Sequence, residues 1–337
     1  MRSANASFFL LLSAFFLVTV GPPAGSAEPL GVPDRYDIEY PDDEPPSDDE
    51  VLLGKTLFFD TRLSLKRTQS CNTCHNIDLG WGDAMQFSLG DRGNFTGRNT
   101  PHIYNLAWNH VFFWDGRAAS LEEQALGPIQ AGGEMDMPLD LMLRRLKVVP
   151  WYRDMFKKVY GDNAMVEENV ARALAAFERT IIVDDTPFDK YIQGDKSAMS
   201  PAAIRGMALY EGKAQCIKCH DGPNFTDESF HNIGLEGEDM GRYRIAEATG
   251  MQKAFKTPGL RNVLFTAPYM HDGSLGTIQE VVEFYNRGGD VENKAIEKLD
   301  LTEEEKRDLI AFLGALNQRL DIEKPVIPPD PEGLRVD

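Results

Sequence analysis

All four cysteines of the 337-residue chain lie in two short motifs of the same form. The motifs are Cys-Asn-Thr-Cys-His at 71–75 and Cys-Ile-Lys-Cys-His at 216–220. Cys-x-x-Cys-His is the attachment signature of a c-type haem. Residues three apart share a helix face, so two thiols can bind the vinyl groups of one porphyrin while the histidine reaches the iron. The sequence therefore predicts two haem c groups, bound through Cys71, Cys74, Cys216 and Cys219, with His75 and His220 as proximal ligands.

Two other uses of these cysteines compete with haem attachment. Disulfides suit an exported protein, but they give no reason for the histidine that follows each pair. A zinc site built from both pairs would normally have a shorter gap between them. Two complete motifs with no cysteine left over favour haem attachment.

The elements that carry these motifs form an internal repeat. The segment that begins at Asn99 aligns without gaps on the segment that begins at Lys256, so that Thr100-Pro101 matches Thr257-Pro258 and Trp114 matches His271. Apolar residues recur at helical spacing in EENVARALAAFERTII and in TEEEKRDLIAFLGALNQRL. We therefore predict a mainly α fold of two cytochrome c-like helical haem domains related by this repeat.

The same alignment places Tyr285 opposite Pro128. If these two positions face the irons, one haem has a phenol above it and the other has a residue without a ligand atom. An iron bound on one face only can bind peroxide, and the distal pocket then decides whether the O–O bond breaks. That cleavage needs a proton carrier and hydrogen-bond donors, and Gln124 and Glu134 flank Pro128.

The chain resembles the bacterial dihaem cytochrome c peroxidases and the related dihaem enzyme MauG. The resemblance extends from about Leu52 to Leu320, and its most specific stretches are GRNTP, FFWDGRAASLEEQALGPIQAGGEM and EVVEFYNR, together with the two haem motifs. It implies a peroxide-reactive N-terminal haem and a C-terminal haem that transfers electrons.

The resemblance also implies individual roles. Glu134 would act as acid and base beside Gln124 and Pro128 in the distal pocket, and Trp114 would relay electrons between the haems. A calcium ion would lie between the units, since calcium prefers hard oxygen ligands. Its ligands would be the side chain of Asn99 and the carbonyl groups of Thr266 and Pro268.

Two positions depart from the peroxidase pattern. Peroxidases of the family usually carry a distal histidine where this chain has Asp91. We therefore expect the N-terminal haem to be open without prior reduction, although His102 or His110 could in principle substitute. Peroxidases of the family use methionine as the sixth ligand at the position of Tyr285, whereas MauG uses tyrosine there, as this chain does. Met270 is a rival ligand, and Met251 and Met240 are weaker candidates.

Other histidines have less specific expectations. His231 is expected to form a hydrogen bond to a haem propionate or to the backbone. His271, the repeat partner of Trp114, is expected to pack near the second haem.

The order of segments predicts export. A short apolar run at 8–20 between Arg2 and the small residues that end at Ala27 is typical of a secretory signal, and it is short for a membrane anchor. We expect a signal peptide at 1–27, an acidic flexible leader at 28–50 and haem domains at 51–195 and 196–320. A Pro-rich tail at 321–337 completes the chain.

The formal net charge of -18 argues against nucleic acid as a partner, and no later segment is apolar enough for stable membrane insertion. The leading hypothesis is a periplasmic dihaem peroxidase that reacts with hydrogen peroxide and oxidises a protein partner in the manner of MauG. The alternative is a cytochrome c peroxidase that takes electrons from a small cytochrome c or cupredoxin. A dihaem electron carrier without a catalytic site is the third possibility.

Overall fold

The computed structural model describes residues 27–292 and 295–333, so the predicted signal peptide lies, except for Ala27, outside the described residues. This part of the chain is mainly helical, as predicted. Its one sheet consists of two antiparallel two-residue strands, β1 (Phe230–His231) and β2 (Phe255–Lys256). The helices are α1 (Asp48–Phe59), α2 (Cys71–Cys74), α3 (Leu121–Gln130), α4 (Leu139–Lys147), α5 (Pro150–Tyr160), α6 (Glu167–Glu178), α7 (Pro187–Ile192), α8 (Pro201–Glu211), α9 (Tyr243–Ala246), α10 (Ile278–Arg287) and α11 (Glu303–Ala315).

The internal repeat is present in the backbone. Helices α3 and α10 begin and end at residues that the ungapped alignment places opposite each other. The turn before each helix is also shared, because the bridge between Phe112 and Ala118 has its counterpart between Tyr269 and Leu275. The alignment therefore holds through the positions of Pro128 and Tyr285.

Each unit contains one close helix crossing that requires glycine. A Cβ atom on Gly54 of α1 would lie 1.7 Å from the carbonyl oxygen of Ala173 in α6. A Cβ atom on Gly206 of α8 would lie 1.9 Å from the carbonyl oxygen of Asp308 in α11. Only a residue without a side chain permits this approach. The two crossings bring the apolar faces of each helix pair into separate cores.

The segment 28–50 begins with residues that are hydrogen-bonded to the C-terminal unit, whereas its composition predicted a flexible leader. The Glu28 amide donates to Asp221, and the Gly31 carbonyl accepts from Arg261, both in the C-terminal unit. Helix α1 already begins at Asp48, with Ser47 as its N-cap. These contacts fasten the beginning of the described chain to the C-terminal unit.

The tail makes the opposite connection. After α11 the chain returns to the N-terminal unit, where Ile322 packs against the core that contains α1 and α6. Arg62 donates 2.6 Å to the Pro328 carbonyl and 2.8 Å to the Asp330 carboxylate. Among the described residues, no helix has the length and apolar character needed to cross a membrane.

Candidate dihaem active site

Each haem motif lines a cavity of its own. Cys71, Cys74 and His75 line the N-terminal cavity, which has a volume of about 660 Å³. The second motif, with His220 at its end, lines the C-terminal cavity of about 310 Å³. Both volumes fall in the range typical of ligand pockets, roughly 300–1,000 Å³.

The cysteines fit haem attachment better than the competing uses. None of the four forms a disulfide. Burial raises the pKa of Cys74 to about 11 and that of Cys216 to about 12, so these thiols are neutral at physiological pH. A shared zinc site is excluded because the two pairs line different cavities. Within the described ranges, the one cluster of three possible metal ligands is Cys219, Asp227 and His231, which contains a single thiol.

The Nδ1 atom of each motif histidine faces backbone carbonyl oxygens. His220 Nδ1 lies 3.1 Å from the carbonyl oxygens of both Phe225 and Pro258, and His75 Nδ1 lies 3.4 Å from that of Trp81. Such partners assign the proton to Nδ1 and leave Nε2 free for a metal. Burial lowers the pKa of both histidines, which favours the neutral ring that binds iron. The residues present therefore fit two c-type haems.

Pro128 and Tyr285 occupy the same position on corresponding helices. Pro128 lies in α3 and lines the N-terminal cavity, while Tyr285 lies in α10 and lines the C-terminal cavity. Burial raises the pKa of Tyr285, so its phenolate requires positive charge nearby. Met270, the rival ligand, lines the same cavity, whereas Met240 and Met251 are absent from its lining residues.

Polar side chains converge on the N-terminal cavity from α3 and the turn that follows. Gln124 and Glu134 both line it with Pro128, and Arg117 lines it as well. Burial raises the pKa of Glu134, and the positive charge of Arg117 acts against that rise. A carboxyl group with a raised pKa in such a cavity is suited to donate a proton to one oxygen and accept it from another.

Trp114 lines both cavities. Its Nε1 donates to the carbonyl oxygen of Asn99 at 2.8 Å, and its own carbonyl oxygen accepts from the Lys256 amide at 2.8 Å. Trp114 is thus held by both units, its indole by the N-terminal unit and its backbone by the C-terminal unit. His271, its repeat partner, lines the C-terminal cavity and stacks on Phe255 with ring centroids 3.5 Å apart.

The C-terminal unit also contributes to the N-terminal cavity. Asp239, Arg244 and Ile245 line that cavity together with Arg98. The Arg98 guanidinium binds Asp239 at 2.7 Å and Asp115 at 2.6 Å. Although burial opposes it, hydrogen bonds from Arg98 and from the backbone lower the pKa of Asp239 to about 2. An ion-pair network of Arg98, Asp115 and Asp239 therefore joins the two units beside the N-terminal cavity.

The other histidines do not act as substitutes for a distal ligand. His102 Nε2 lies 2.9 Å from the Gly259 carbonyl oxygen, and its Nδ1 accepts from the Tyr104 amide. His110 is exposed and pairs with Glu228. Neither lines the N-terminal cavity.

His231 differs from its expected partner. Its Nε2 lies 2.7 Å from the Asp227 carboxylate, not from a backbone group. This hydrogen bond, followed by one to Cys219, raises the pKa of His231 to about 10.

Asp91 is buried, and its carboxylate is engaged by neighbouring residues. Its carboxylate accepts from the Lys66 amide at 2.7 Å and from the Thr68 hydroxyl at 2.5 Å. Burial works against ionisation, but these hydrogen bonds outweigh it and lower the pKa of Asp91. Asp91, which the resemblance to the family matches with the distal histidine, is therefore held by the backbone and side chains around it.

The predicted calcium ligands occupy ordered turns. Asn99 is buried, and its Nδ2 donates to the Met85 carbonyl oxygen at 2.9 Å. Because the amide nitrogen is engaged there, the side-chain oxygen is directed elsewhere. Thr266 and Pro268 lie on the turn before Tyr269, with a cis peptide bond before Pro268. The joint calcium site of these three residues stays a prediction.

Sequence reasoning missed Glu178. This carboxyl at the end of α6 is 6% exposed, lines the N-terminal cavity, and its Oε2 has no hydrogen-bond partner among the described residues. Burial raises its pKa to about 8. A signal was available, because Val170, Leu174 and Glu178 follow one another at four-residue spacing on the apolar face of α6.

Two helical units, each with a Cys-x-x-Cys-His motif at a cavity, define the class of dihaem c-type oxidoreductases. Residues 48–197 match the family model of the di-haem cytochrome c peroxidases. The methylamine utilization protein MauG of Methylorubrum extorquens is 44% identical over 286 residues, covering 83% of this chain and 81% of that protein. The chain therefore belongs to the dihaem cytochrome c peroxidase and MauG family.

Further relatives include both a cytochrome c peroxidase and a MauG-like protein. The cytochrome c551 peroxidase of Nitrosomonas europaea is 34% identical over 296 residues, covering 85% of each chain. A solved MauG-like protein associated with microbial copper homeostasis superposes with a TM-score of 0.78 at 30% identity, covering 88% of this chain and 94% of its own. The sequence identity to these relatives supports a dihaem peroxidase.

Proposed function

We propose that this protein is an exported, periplasmic dihaem enzyme in which hydrogen peroxide reacts at the N-terminal haem and a protein partner is oxidised, as in MauG. The observation that carries the proposal is the pairing of Pro128 with Tyr285. The two residues occupy one position of corresponding helices, each beside its own cavity. One cavity therefore presents no ligand atom there, and the other presents a phenol.

The N-terminal cavity supplies the groups that peroxide needs. Haem iron, when bound at His75, would provide the electrophilic site for peroxide. Glu134 would move the proton between the two peroxide oxygens, and Gln124 would hold the peroxide through its amide. Pro128 keeps the space between them apolar, because it offers neither a donor nor a ligand atom.

The C-terminal cavity would serve electron transfer. Tyr285 as sixth ligand would close that iron to small molecules, and an anionic oxygen ligand favours ferric and higher oxidation states. Trp114, which lines both cavities, would carry electrons between them. A calcium ion held by Asn99, Thr266 and Pro268 would further fix this boundary, and titration of the chelated protein with calcium tests it.

The second candidate is a cytochrome c peroxidase supplied with electrons by a small cytochrome c or a cupredoxin. The 34% identity to a cytochrome c551 peroxidase supports it, as does the presence of Met270 in the C-terminal cavity. A methionine-bound haem would accept electrons from such donors more readily than a tyrosine-bound one.

Electron paramagnetic resonance of the oxidised holoprotein separates these states. We expect one high-spin, five-coordinate haem and one low-spin haem, and a reaction with peroxide that requires no prior reduction. Two low-spin haems in the resting protein would contradict the proposal. Sustained turnover with a reduced small cytochrome c, at the rate of a peroxidase, would establish the second candidate.

A further inference from the structure

The loop before the first Thr-Pro pair packs unusually closely on the turn that carries Glu134. A Cβ atom on Gly90 would lie 2.1 Å from the carbonyl oxygen of Gly133 and 3.0 Å from that of Glu134. The Asp91 amide donates to the Glu134 carbonyl oxygen at 2.7 Å. The backbone of Glu134 is therefore held directly by residues 90 and 91.

Asp91 ties this contact to the segment that leads into the first haem motif. Its Oδ2 accepts from the Lys66 amide at 2.7 Å, and its Oδ1 accepts from the Thr68 hydroxyl at 2.5 Å. Thr68 precedes Cys71 by three residues. One buried residue thus links the haem attachment segment, through its side chain, to the Glu134 turn, through its amide.

A neighbouring ion pair closes the same junction. Arg92 forms two hydrogen bonds with the Asp136 carboxylate, one of them from Nη2 to Oδ1 at 2.8 Å. Arg92 is exposed, so this pair contributes little on its own. The hydrogen bonds of Asp91 are buried, so water competes with them less, and they stabilise this contact more than the exposed ion pair does.

We propose that Asp91 is a positioning residue that holds Glu134 at the N-terminal cavity. This inference rests on the proposed role of Glu134 as the proton carrier. A carboxyl group can serve one bound peroxide only if its oxygens stay within hydrogen-bond reach of it, and a misplacement of about 1 Å can cost roughly 100-fold in rate. Asp91 would supply that precision from outside the cavity.

The positioning role of Asp91 can be tested with fluoride. Fluoride binds ferric haem and can accept a hydrogen bond from the carboxyl group of Glu134 when that group is neutral. The fluoride dissociation constant of the holoprotein is measured by visible spectroscopy between pH 5 and 9. Asp91→Ala should weaken fluoride binding roughly tenfold at low pH and shift the midpoint of its pH dependence, because Glu134 is displaced. The charge that acts on Glu134 is that of Arg117, and the exposed pair Arg92–Asp136 joins the adjoining loop and turn. The Cys74 sulfur would be a thioether in the holoprotein and would not titrate.

Matched variants separate positioning from general damage. Asp91→Asn should lose less fluoride affinity than Asp91→Ala, since its amide oxygen can still accept from the Lys66 N–H while its NH2 group donates to the Thr68 hydroxyl oxygen. Thr68→Val should give an intermediate effect even if Asp91→Ala fails to fold. Asp195→Ala should have no effect, because Asp195 makes the same two kinds of contact, with Ser197, on an exposed turn.

A double-mutant cycle decides whether Asp91 acts through Glu134. In a Glu134→Ala background, Asp91→Ala should cause no further loss of fluoride affinity. Equal losses in the two backgrounds, or an unchanged pH midpoint in Asp91→Ala, would overturn the proposal. A wild-type protein that fails to react with peroxide would overturn the proposed function instead, and the fluoride measurements would still decide the role of Asp91.

Discussion

The indole Nε1 of Trp114 donates a 2.8 Å hydrogen bond to the carbonyl oxygen of Asn99. The backbone N–H of Asn99 in turn donates at 2.8 Å to the carbonyl oxygen of His271, which is the repeat partner of Trp114. The equivalent positions of the two units are therefore connected through one residue. This connection fixes the indole at the boundary that both cavities share.

Trp114→Phe should slow the transfer of oxidising equivalents to the C-terminal haem. The substitution keeps an aromatic ring but removes the hydrogen bond to Asn99 and the larger indole. Stopped-flow spectra after peroxide addition should show an unchanged first step and a delayed change in the low-spin haem. Trp108→Phe is the control, since Trp108 also donates to a carbonyl oxygen, that of Asp34. Equal rates in all three proteins would remove Trp114 from the path.

Glu134→Gln should lower the second-order rate of the reaction with peroxide by about 10²–10⁴, the usual contribution of a general acid or base. The amide keeps the size of the side chain but cannot carry the proton. Glu123→Gln, on the exposed side of α3, should react like the wild type. A loss of less than threefold in Glu134→Gln would show that another group moves the proton.

Tyr285→Met should raise the reduction potential of the C-terminal haem within the range of roughly 0.8 V that axial ligands span. A neutral thioether favours ferrous iron more than a phenolate does. Spectroelectrochemical titration measures the shift. Tyr269→Phe controls for a second phenol at the same cavity, and Met270→Leu tests the rival ligand. If only Met270→Leu moves the potential, Tyr285 is not the ligand.

Glu178 should make the protein less stable as the pH rises from about 5 to about 8. Burial raises its pKa to about 8, against the opposing charge of Arg179 and with a smaller contribution from Glu122. The folded state therefore binds a proton that the unfolded state has released, and its stabilisation is complete below the unfolded pKa and lost as pH passes the folded pKa. Thermal unfolding of the holoprotein over this range measures the slope.

Glu178→Gln should flatten that slope, because the amide resembles the neutral carboxyl group and does not titrate. His102 contributes with the opposite sign, since burial lowers its pKa to about 4 and its stabilisation appears between about pH 4 and 6.5. The comparison of wild type with Glu178→Gln cancels that contribution. Identical pH profiles for both proteins would mean that Glu178 is already ionised in the folded state.

Arg261→Met should destabilise the protein by about 3–5 kcal/mol, the usual cost of leaving one member of a buried ion pair alone. Arg261 and Asp189 are each 1% exposed and share two hydrogen bonds of 2.9 Å. Denaturant unfolding measures the change. Arg144→Met is the matched control, because Arg144 and Asp140 form an exposed pair on α4, worth about 0.3–0.5 kcal/mol.

Short motifs and the repeat predicted much of this architecture. The ungapped alignment paired Pro128 with Tyr285, and the structure places them at the same position of α3 and α10. This succeeded because a helix and the tight turn before it are specified by residues close together in the chain. The haem motifs are equally local.

Contacts between distant loops escaped prediction. The approach of Gly90 to Gly133, the carboxylate of Asp91 on Thr68 and the anchoring of Gly31 by Arg261 join irregular segments far apart in sequence. Such segments carry no periodicity, so their composition suggested only loops. The leader shows this most clearly, because its composition is that of a disordered segment while the Glu28 amide and the Gly31 carbonyl are hydrogen-bonded to the C-terminal unit.

The two ends of the described chain are fastened crosswise, with residues 28–31 on the C-terminal unit and residues 322–330 on the N-terminal unit. A hinge motion that separated the two units would have to break the contacts of both chain ends at the same time. Contacts of this kind would oppose any change in the distance between the two cavities. The irregular termini would thus help to preserve the separation of two cavities from which they themselves are distant in sequence.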